Sequence, residues 1–364
     1  MRILQISPTH FSDESFIGGA ERYVLELSRA LARTDEVVLV SFAEEASSHS
    51  EGTLRIEHLR RHPLLRSRPL YHLPLSRAFR EFLRWADVIH CHQAHNFVTD
   101  IALLGGQCYG KKVFVTDLGG GHRYALARHF PLLDRSRAFL LISEYSKRLW
   151  AESPSSTHPQ RLEVIYGGVD TEKFCPAATP RKKSALFVGR LMPHKGVDVI
   201  LDAIQGDLSL DIVGRAYHED YFLLLKKKSE GKNVRFHTGV SDADLVKMYQ
   251  QSLVALQTSI YEDCYGHRSV APELLGLAAL EAQACGTPVI VTNVASLPEV
   301  IQDQRTGFLV PPNNPIPIRE RIELLAANPG RADEMGRAAR EWVVQRFTWE
   351  AVAKRCLSAY ADAN

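Results

Sequence analysis

Hydrophobic residues occur along the chain in short runs, and amphipathic segments separate these runs. Residues 3–7 and 36–42 are apolar runs of strand length, and hydrophobic positions recur at helical spacing in residues 20–33 between them. A strand, a helix and a second strand in this order are typical of a parallel sheet with covered faces. Further strands are predicted at residues 86–90, 112–116, 139–143, 162–165, 185–188, 210–213, 234–237, 253–257, 289–291 and 307–310, and further helices at 144–150, 197–204, 276–285 and from 331 to the end.

A change in composition divides this alternation into two halves. Residues 175–183 are rich in Pro, Ala, Thr and Lys, which is typical of a linker between domains. The two halves show the same order of elements but are not repeats of one sequence. The pattern therefore predicts two doubly wound α/β domains.

Composition narrows the classes of protein to which the chain can belong. The 364 residues are 45% hydrophobic and 24% charged, as in soluble globular proteins with sizeable cores. The net charge of +2 argues against a nucleic-acid-binding polycation. The apolar runs are too short to cross a bilayer, and the N-terminal run is too short for a signal peptide. The six cysteines form no CxxC pair, so we expect free thiols in the cytoplasm.

The most informative stretch is residues 272–291, PELLGLAALEAQACGTPVIV. It predicts a loop, a helix over 276–285, a stop at Gly286 and a buried strand. The residues three and four positions away from Glu281 are all apolar. A carboxylate among apolar groups is costly unless it is hydrogen-bonded. The alternative is an ordinary helix with one solvated glutamate.

Glu273 precedes this helix, and Gly276 opens it. Glu273 and Glu281 would not share a stripe within one helix, but a loop position for Glu273 lets both face one ligand. A helix N-terminus has free N–H groups and a positive dipole end, which suits a phosphate. Gly276 would let the backbone approach that ligand closely.

Two cations follow a predicted strand earlier in the same half. Arg190 and Lys195 lie five residues apart on a loop between two glycines. Such a pair can neutralise a diphosphate leaving group, although solvated surface cations are the alternative. In the first half, Gly18 and Gly19 follow the first strand, where either a plain turn or a ligand contact is expected.

These motifs together resemble one enzyme family. FVGRLMPHKGVDVILDAI, NVRFHTGVSDADLVKMYQ, PELLGLAALEAQACGTPVIVTNVASLPEVI and GFLVPPNNP look like the donor-binding half of the retaining glycosyltransferases of family four. GGAERYVLELSRALA, DVIHCHQAH, VIYGGVDTEKF and FTWEAVAKRCLSAY are similar to other parts of that family. The resemblance implies the GT-B fold, in which two Rossmann-like parallel-sheet domains face each other across a cleft. It implies an acceptor domain at residues 1–172, a donor domain at 173–346 and a closing helix, 347–364, that packs back on the first domain.

The resemblance also implies roles for particular residues. Arg190 and Lys195 would bind the donor diphosphate, Glu273 the transferred sugar and Glu281 the ribose hydroxyls. Many relatives carry a histidine after the strand that ends here in Thr116 and Asp117, and His122 becomes the acceptor-side catalytic candidate. Retaining GT-B enzymes need no metal or other cofactor. The remaining donor contacts would come from the backbone of Leu275, Gly276 and Leu277, from Val240 beside the base, and from Gly18 and Gly19.

The implied activity is transfer of a sugar from a UDP- or GDP-sugar to a glycan or lipid-linked acceptor, in polysaccharide or glycoconjugate synthesis. Two other interpretations stay open at this point. One is a GT-B sugar-nucleotide epimerase or a phosphorylase. The other is an inactive subunit that binds a sugar nucleotide and supports a partner transferase.

Two further segments carry candidate chemistry. Residues 55–84 contain eight arginines and two acids, and from residue 75 they resemble a basic amphipathic helix. That helix would be solvated, hold an acidic acceptor, or contact an anionic membrane. Membrane contact would place the protein peripherally on the inner face of the cell membrane. The sequence HCHQAH at 90–95 indicates a histidine-lined pocket or, alternatively, a metal site.

Overall fold

The computed structural model describes residues 1–8, 19–60, 77–119, 132–152 and 161–362. The chain divides into two compact units. The first unit comprises residues 1–168 and 349–364, and the second comprises residues 169–348. Each unit is built around one β-sheet and is described by itself.

The strands of the two sheets follow the predicted hydrophobic runs, but two strands were not predicted and a third begins earlier than predicted. The short strand at 47–51 is polar and exposed, so no hydrophobic pattern marks it. The strand at 54–60 lies in the basic segment, and the strand at 182–188 begins inside the stretch predicted as a linker. The strands are β1 Arg2–Ile6, β2 Glu36–Ala43, β3 Ser47–Glu51, β4 Leu54–Arg60, β5 Val88–His92, β6 Lys112–Thr116, β7 Ala138–Leu141, β8 Leu162–Val164, β9 Lys182–Val188, β10 Ser209–Val213, β11 Val234–His237, β12 Ser252–Gln257, β13 Val289–Thr292 and β14 Gly307–Val310.

The helices include three that the hydrophobic pattern did not predict, at 97–108, 219–229 and 315–327. Helix 97–108 is hydrophobic over most of its surface, so it has no clear polar face from which a helical period could be read. The helices of the described residues are α1 Gly19–Leu31, α2 Arg77–Trp85, α3 Phe97–Cys108, α4 Glu144–Ala151, α5 Val197–Ala203, α6 Glu219–Ser229, α7 Asp242–Gln251, α8 Leu277–Ala284, α9 Pro315–Ala327, α10 Pro329–Arg346 and α11 Trp349–Ala361, with 3₁₀ turns at Leu132–Arg135, Pro193–Lys195 and Leu297–Val300.

Both sheets have the parallel topology that the alternation predicted. In the first unit the strand order is β3-β4-β2-β1-β5-β6-β7-β8, and among these described strands only β3 runs antiparallel to its neighbour. In the second unit the order is β11-β10-β9-β12-β13-β14, with all neighbours parallel. Since the carboxyl ends of parallel strands meet at one edge, the loops after β9, β11 and β12 converge at the same edge of the second sheet.

Helix α11 is packed within the first unit although it is the last helix of the chain. The Trp349 ring lies edge-on to Tyr23 of α1, with 5.3 Å between ring centroids. Gly168 lies against Trp349, since a Cβ added there would come within 2.7 Å of the indole ring. At the other end of the helix, the Tyr360 hydroxyl contacts Nδ1 of His90 on β5 at 2.7 Å.

Candidate functional site

Helix α8 has the ends that the sequence predicted. Gly276 precedes it as N-cap residue with φ +92°, and Gly286 follows it with φ +74°. The Gly286 N–H donates to the carbonyl of Gln283, and the Thr287 N–H donates to that of Ala282, both at 2.9 Å. These two bonds form a Schellman motif, which confirms the predicted stop at Gly286.

Two constraints keep Gly276 a glycine at the beginning of α8. Its positive φ is strained for other residues, and a Cβ there would come within 3.0 Å of the Leu297 side chain. The Ser296 hydroxyl donates to the Glu273 carbonyl at 3.2 Å and so ties the preceding loop to the 3₁₀ turn after β13. The N-terminal end of α8 is thus held in one position without a side-chain cap.

Lys195 and Glu273 meet at this end of α8. The Lys195 ammonium donates to Oε2 of Glu273 and to the carbonyl of Pro272, both at 2.9 Å. The two side chains are only 11% and 17% exposed. Burial raises the pKa of the Glu273 carboxyl, but the Lys195 charge and hydrogen bonds from Lys195 and from the N–H groups of Leu275 and Leu274 lower it more. Glu273 is therefore ionised near neutral pH.

The loop that carries Lys195 is fixed by the strands on either side of it. A Cβ on Gly196 would lie 2.3 Å from the carbonyl oxygen of Thr258, and the glycine has φ +64°. The Thr258 hydroxyl lies 3.1 Å from the carbonyl oxygens of both Lys195 and Gly196. At the start of the loop, the Gly189 N–H donates to the carbonyl of Val213 at 3.0 Å. Lys195 therefore projects from a rigid turn.

Arg190 contrasts with Lys195, because its side chain is exposed. Within the described part of the chain, no ion pair or hydrogen bond occupies its guanidinium. Its charge also affects the neighbouring His194. Burial lowers the pKa of that imidazole to about 4, with smaller contributions from the Lys195 and Arg190 charges. Glu273 and Asp263 act in the opposite direction. His194 is therefore neutral at physiological pH, and Arg190 is available to an anionic ligand.

Glu281 is buried, as its apolar neighbours predicted, and it is hydrogen-bonded. The residue is 7% exposed, and its Oε2 accepts a hydrogen bond of 3.0 Å from the hydroxyl of Tyr249 on α7. The interpretation of Glu281 as an ordinary solvated glutamate is therefore wrong. The sequence did not single out Tyr249, because it lies 32 residues before Glu281 in the chain and no motif connects the two.

The other candidates for the donor site differ in how exposed they are, and some lie outside the described residues. Leu275 is buried, and Leu277 opens α8 half-buried. Val240 is half-buried and precedes Ser241, whose hydroxyl accepts the Asp244 N–H at 3.1 Å and caps α7. Gly19 is exposed at the start of α1, whereas Gly18 and His122 lie outside the described residues.

Two histidines of HCHQAH, His90 and His92, belong to a buried polar network in the first unit. His90 contacts the Tyr360 hydroxyl and, through Nε2, the Thr116 hydroxyl at 2.7 Å. Nε2 of His92 contacts the side-chain oxygen of Gln5. Burial lowers the pKa of His90 to about 3, so the ring is neutral. No group of three His, Cys, Asp or Glu side chains in the described ranges is arranged to hold a metal ion.

Asp117 occupies the strand end at which many members of the resembled family carry histidine. Burial raises the pKa of its carboxyl, while His95, the N–H groups of Ala94 and Gly119 and the Trp150 indole act in the opposite direction. Burial is the larger effect, so the pKa of this carboxyl is raised, and within the described residues its Oδ1 is buried without a hydrogen-bond partner.

Comparisons with protein families and curated proteins agree with the motifs. The model "Glycosyltransferase Family 4" matches residues 17–173, and "Glycosyl transferases group 1" matches residues 169–342. D-inositol 3-phosphate glycosyltransferase from Streptomyces bingchenggensis is 30% identical over 56% of this chain and 48% of its own. Alpha-maltose-1-phosphate synthase from Mycobacterium tuberculosis is 26% identical over 67% of each chain. The chain spans about half the length of the first of these relatives.

Solved structures share the fold over the whole chain. Sucrose-phosphate synthase from Thermosynechococcus elongatus has a TM-score of 0.77 at 22% identity, covering 99% of this chain and 98% of its own. Anabaena HepE in complex with UDP has a TM-score of 0.77 at 16% identity, covering 100% of both chains. These similarities confirm the predicted GT-B fold class, and the two matched family models together span residues 17–342. The chain belongs to glycosyltransferase family four.

Proposed function

We propose that the protein is a retaining glycosyltransferase that moves a sugar from a UDP- or GDP-sugar to a glycan or lipid-linked acceptor. The observation that carries this proposal is the buried Lys195–Glu273 pair at the N-terminal end of α8, with the exposed Arg190 on the same loop as Lys195. Relatives named as glycosyltransferases, and HepE structures that contain UDP or UDP-glucose, support a nucleotide-sugar donor.

Each group would act on a different part of the donor. In the reaction, the bond between the anomeric carbon and the phosphate oxygen breaks, and its electron pair stays on the diphosphate. Lys195, Arg190 and the helix end would stabilise that developing charge. The acceptor oxygen attacks the same face of the sugar, and its proton passes to the departing phosphate oxygen. Glu273, which is ionised, would accept hydrogen bonds from sugar hydroxyls.

Protein charges would stabilise the leaving diphosphate in place of a metal ion, so EDTA is expected to leave turnover unchanged.

A panel of UDP- and GDP-sugars, read by nucleotide release with and without a glycan acceptor, tests the activity. Release that depends on acceptor supports a transferase. An altered sugar released without acceptor would identify an epimerase, phosphate-dependent release a phosphorylase, and binding without any reaction an inactive subunit.

Replacing Arg190 with alanine is expected to weaken binding of UDP or GDP by about tenfold or more, since a charge-assisted contact to phosphate is lost. Binding of the corresponding nucleoside, which lacks phosphates, should not change. Isothermal titration calorimetry measures both affinities. Arg337→Ala is the matched control, because Arg337 is also exposed and lies on α10. Equal losses for nucleotide and nucleoside would count against a diphosphate contact.

We also propose that the protein is cytoplasmic and contacts anionic membrane through the basic segment at residues 55–84, of which 61–76 lie outside the described residues. All six cysteines are free. Helix α2 exposes Arg77, Arg80 and Arg84 and keeps Phe82 half-buried. In the described ranges, no helix is long and apolar enough to span a bilayer.

Replacing Arg77 and Arg80 together with glutamate is expected to lower the affinity for phosphatidylserine vesicles, measured by co-sedimentation, by about thirtyfold or more, since about 1 kcal/mol of attraction is typical for each basic residue at such a surface. Vesicles of neutral phosphatidylcholine provide the baseline. The control variant replaces Lys226 and Lys227 of α6, which are also exposed, with glutamate. Binding that is insensitive to anionic lipid, or equal losses in both variants, would refute the membrane contact through α2.

A further inference from the structure

The second unit exposes three tyrosine side chains at the edge of the sheet where the candidate donor site lies. Tyr217, Tyr261 and Tyr265 are 50%, 40% and 47% exposed. Tyr217 follows β10 and the other two follow β12, so all three lie at the carboxyl ends of the strands, as Lys195 does. A single exposed apolar side chain needs no explanation, but three aromatic rings at one edge of a sheet indicate a binding surface.

Tyr261 and Tyr265 belong to an ordered loop, residues 261–269, here called the tyrosine loop. The Asp263 carboxylate accepts the N–H groups of Tyr265 and His267 at 2.9 and 3.0 Å. The Asp263 N–H in turn donates to the His267 carbonyl at 3.0 Å. Because these bonds already hold the loop in one conformation, a ligand that binds there does not have to order it.

The tyrosine loop is connected to the Lys195 loop at its start. The N–H of Ile260, the residue before the tyrosine loop, donates to the His194 carbonyl at 2.9 Å. His194 directly precedes Lys195, and the charge of Asp263 acts on its imidazole. The position of the tyrosine loop is therefore coupled to that of the buried cation in the donor site.

A second connection leads from the tyrosine loop to Glu273. The Tyr261 hydroxyl accepts a hydrogen bond of 2.8 Å from the Ala295 N–H. The next residue, Ser296, donates to the Glu273 carbonyl at 3.2 Å. The tyrosine loop is therefore continuous with the end of α8 at which we propose that the transferred sugar binds.

Tyr217 is fixed beside the same two loops. Its neighbour Ala216 pairs with Leu191, on the loop of the donor-site cations, as a parallel bridge. Four residues after Tyr217, the ring of Tyr221 lies edge-on to that of Tyr265, with centroids 6.5 Å apart and planes at 68°. Tyr217 and the tyrosine loop therefore belong to one region of the surface.

The charges of this region suit a neutral ligand. Arg268 is the only lysine or arginine at residues 261–271, and its guanidinium donates to the Glu262 carboxylate at 2.8 Å. The first turn of α6, which begins after Tyr217, adds the acids Glu219 and Asp220. A polyanion or an anionic membrane would therefore meet excess negative charge here.

We propose that the tyrosine loop and Tyr217 form an acceptor subsite for a neutral glycan, which holds sugar units beyond the one that receives the transferred sugar. This inference rests on the proposed function and selects, among the possible acceptors, a glycan of at least two sugar units. A tyrosine combines an apolar ring with a polar hydroxyl, and these match the C–H faces and the hydroxyl groups of a neutral sugar. Tyrosine also loses little conformational freedom when it is buried in a contact.

A printed array of neutral and charged glycans, probed with the labelled full chain in saturating UDP or GDP, identifies a ligand. Calorimetry then compares a ligand of three or more sugar units with its terminal monosaccharide. The wild type is expected to prefer the longer glycan by about tenfold or more, as two aromatic contacts would provide. Tyr217→Ala combined with Tyr265→Ala should reduce that preference to about threefold or less and leave the affinity for the nucleotide unchanged.

A second pair of substitutions distinguishes loss of the rings from disturbance of the loop. Tyr217→Phe combined with Tyr265→Phe keeps both rings and should retain a preference of about fivefold or more. A loss equal to that of the alanine pair would overturn binding through the ring faces.

Leu223→Ala combined with Val344→Ala is the matched control. Both side chains are large, apolar and exposed in the second unit, at 59% and 42%. Val344 lies on α10, and Leu223 lies about 200° around α6 from Tyr221. The control pair should leave the preference for the longer glycan unchanged, whereas a general effect of removing exposed apolar groups would appear in both pairs.

The possible results separate this inference from the proposed function. An unchanged preference in the alanine pair, an equal decrease in the control pair, or array binding restricted to charged glycans overturns the subsite and leaves nucleotide binding intact. A wild type that binds UDP or GDP but no glycan on the array also overturns the inference alone. Failure of the wild type to bind either nucleotide overturns both.

Discussion

Replacing Lys195 with alanine is expected to lower kcat/KM for a nucleotide-sugar donor by about 10³-fold, the loss typical of removing a group that stabilises developing charge. Lys195 is the buried cation of the site, held on Glu273 and on the Pro272 carbonyl. Without it, the charge that forms on the leaving diphosphate meets only Arg190, which is exposed and therefore better screened by solvent. Nucleotide release under saturating and limiting donor measures kcat and KM separately.

Loss of folding must be distinguished from loss of chemistry in this variant. Lys195→Ala leaves Glu273 without its cation, so burial is then expected to raise the pKa of that carboxyl. Adding Glu273→Gln removes the unpaired charge and should recover much of the lost thermal stability without restoring turnover. Lys228→Ala, which breaks the ion pair of Lys228 with Asp202, should leave turnover unchanged. Near-normal turnover by folded Lys195→Ala would refute the assignment.

The local sequence alone was sufficient to predict the helix on which this site depends. The helix at 276–285 and its glycine ends follow from helix propensity and from the backbone freedom of glycine, both of which act over a few residues. The apolar neighbours of Glu281 likewise predicted burial with a hydrogen-bonding partner. All of these inferences concern groups within one or two helical turns of each other.

Long-range partners could not be obtained in the same way. Lys195 and Glu273 are 78 residues apart in the chain, and Tyr249 and Glu281 are 32 apart. Their contacts depend on the strand order, which places the loops of β9, β11 and β12 together. The resemblance to a family implied that Lys195 and Glu273 share a site, but it gave no signal for the phenol of Tyr249.

The polar strand β3 shows a different reason for a missed element. All five of its residues are exposed, and it pairs with β4 at the edge of the first sheet. Such a strand is held by backbone hydrogen bonds and has no buried face, so period-two hydrophobicity is absent. Edge strands of this kind become visible only when the neighbouring strand is in place.

Replacing Gly336 with alanine is expected to lower the free energy of unfolding by about 3 kcal/mol or more, at the upper end of the overpacking range. A Cβ at this position of α10 would lie 1.9 Å from the carbonyl oxygen of Gly286 and 3.0 Å from Nη2 of Arg181. Backbone on one side and a hydrogen-bonded guanidinium on the other leave no flexible side chain to yield. Chemical denaturation followed by circular dichroism measures the change.

Gly330→Ala provides the control on the same helix, because a Cβ at Gly330 has no heavy atom within 4 Å. Alanine is the better helix former by about 0.5–1 kcal/mol, so this variant should be as stable as the wild type or slightly more stable. Gly336 also contacts the residue that ends α8, so its replacement should displace that helix and weaken nucleotide binding as well. Equal stability of the two variants would show that α10 does not approach the end of α8 as closely as its glycine implies. Destabilisation with unchanged nucleotide affinity would instead show that the position of α8 is set by its N-terminal contacts with Leu297 and Ser296.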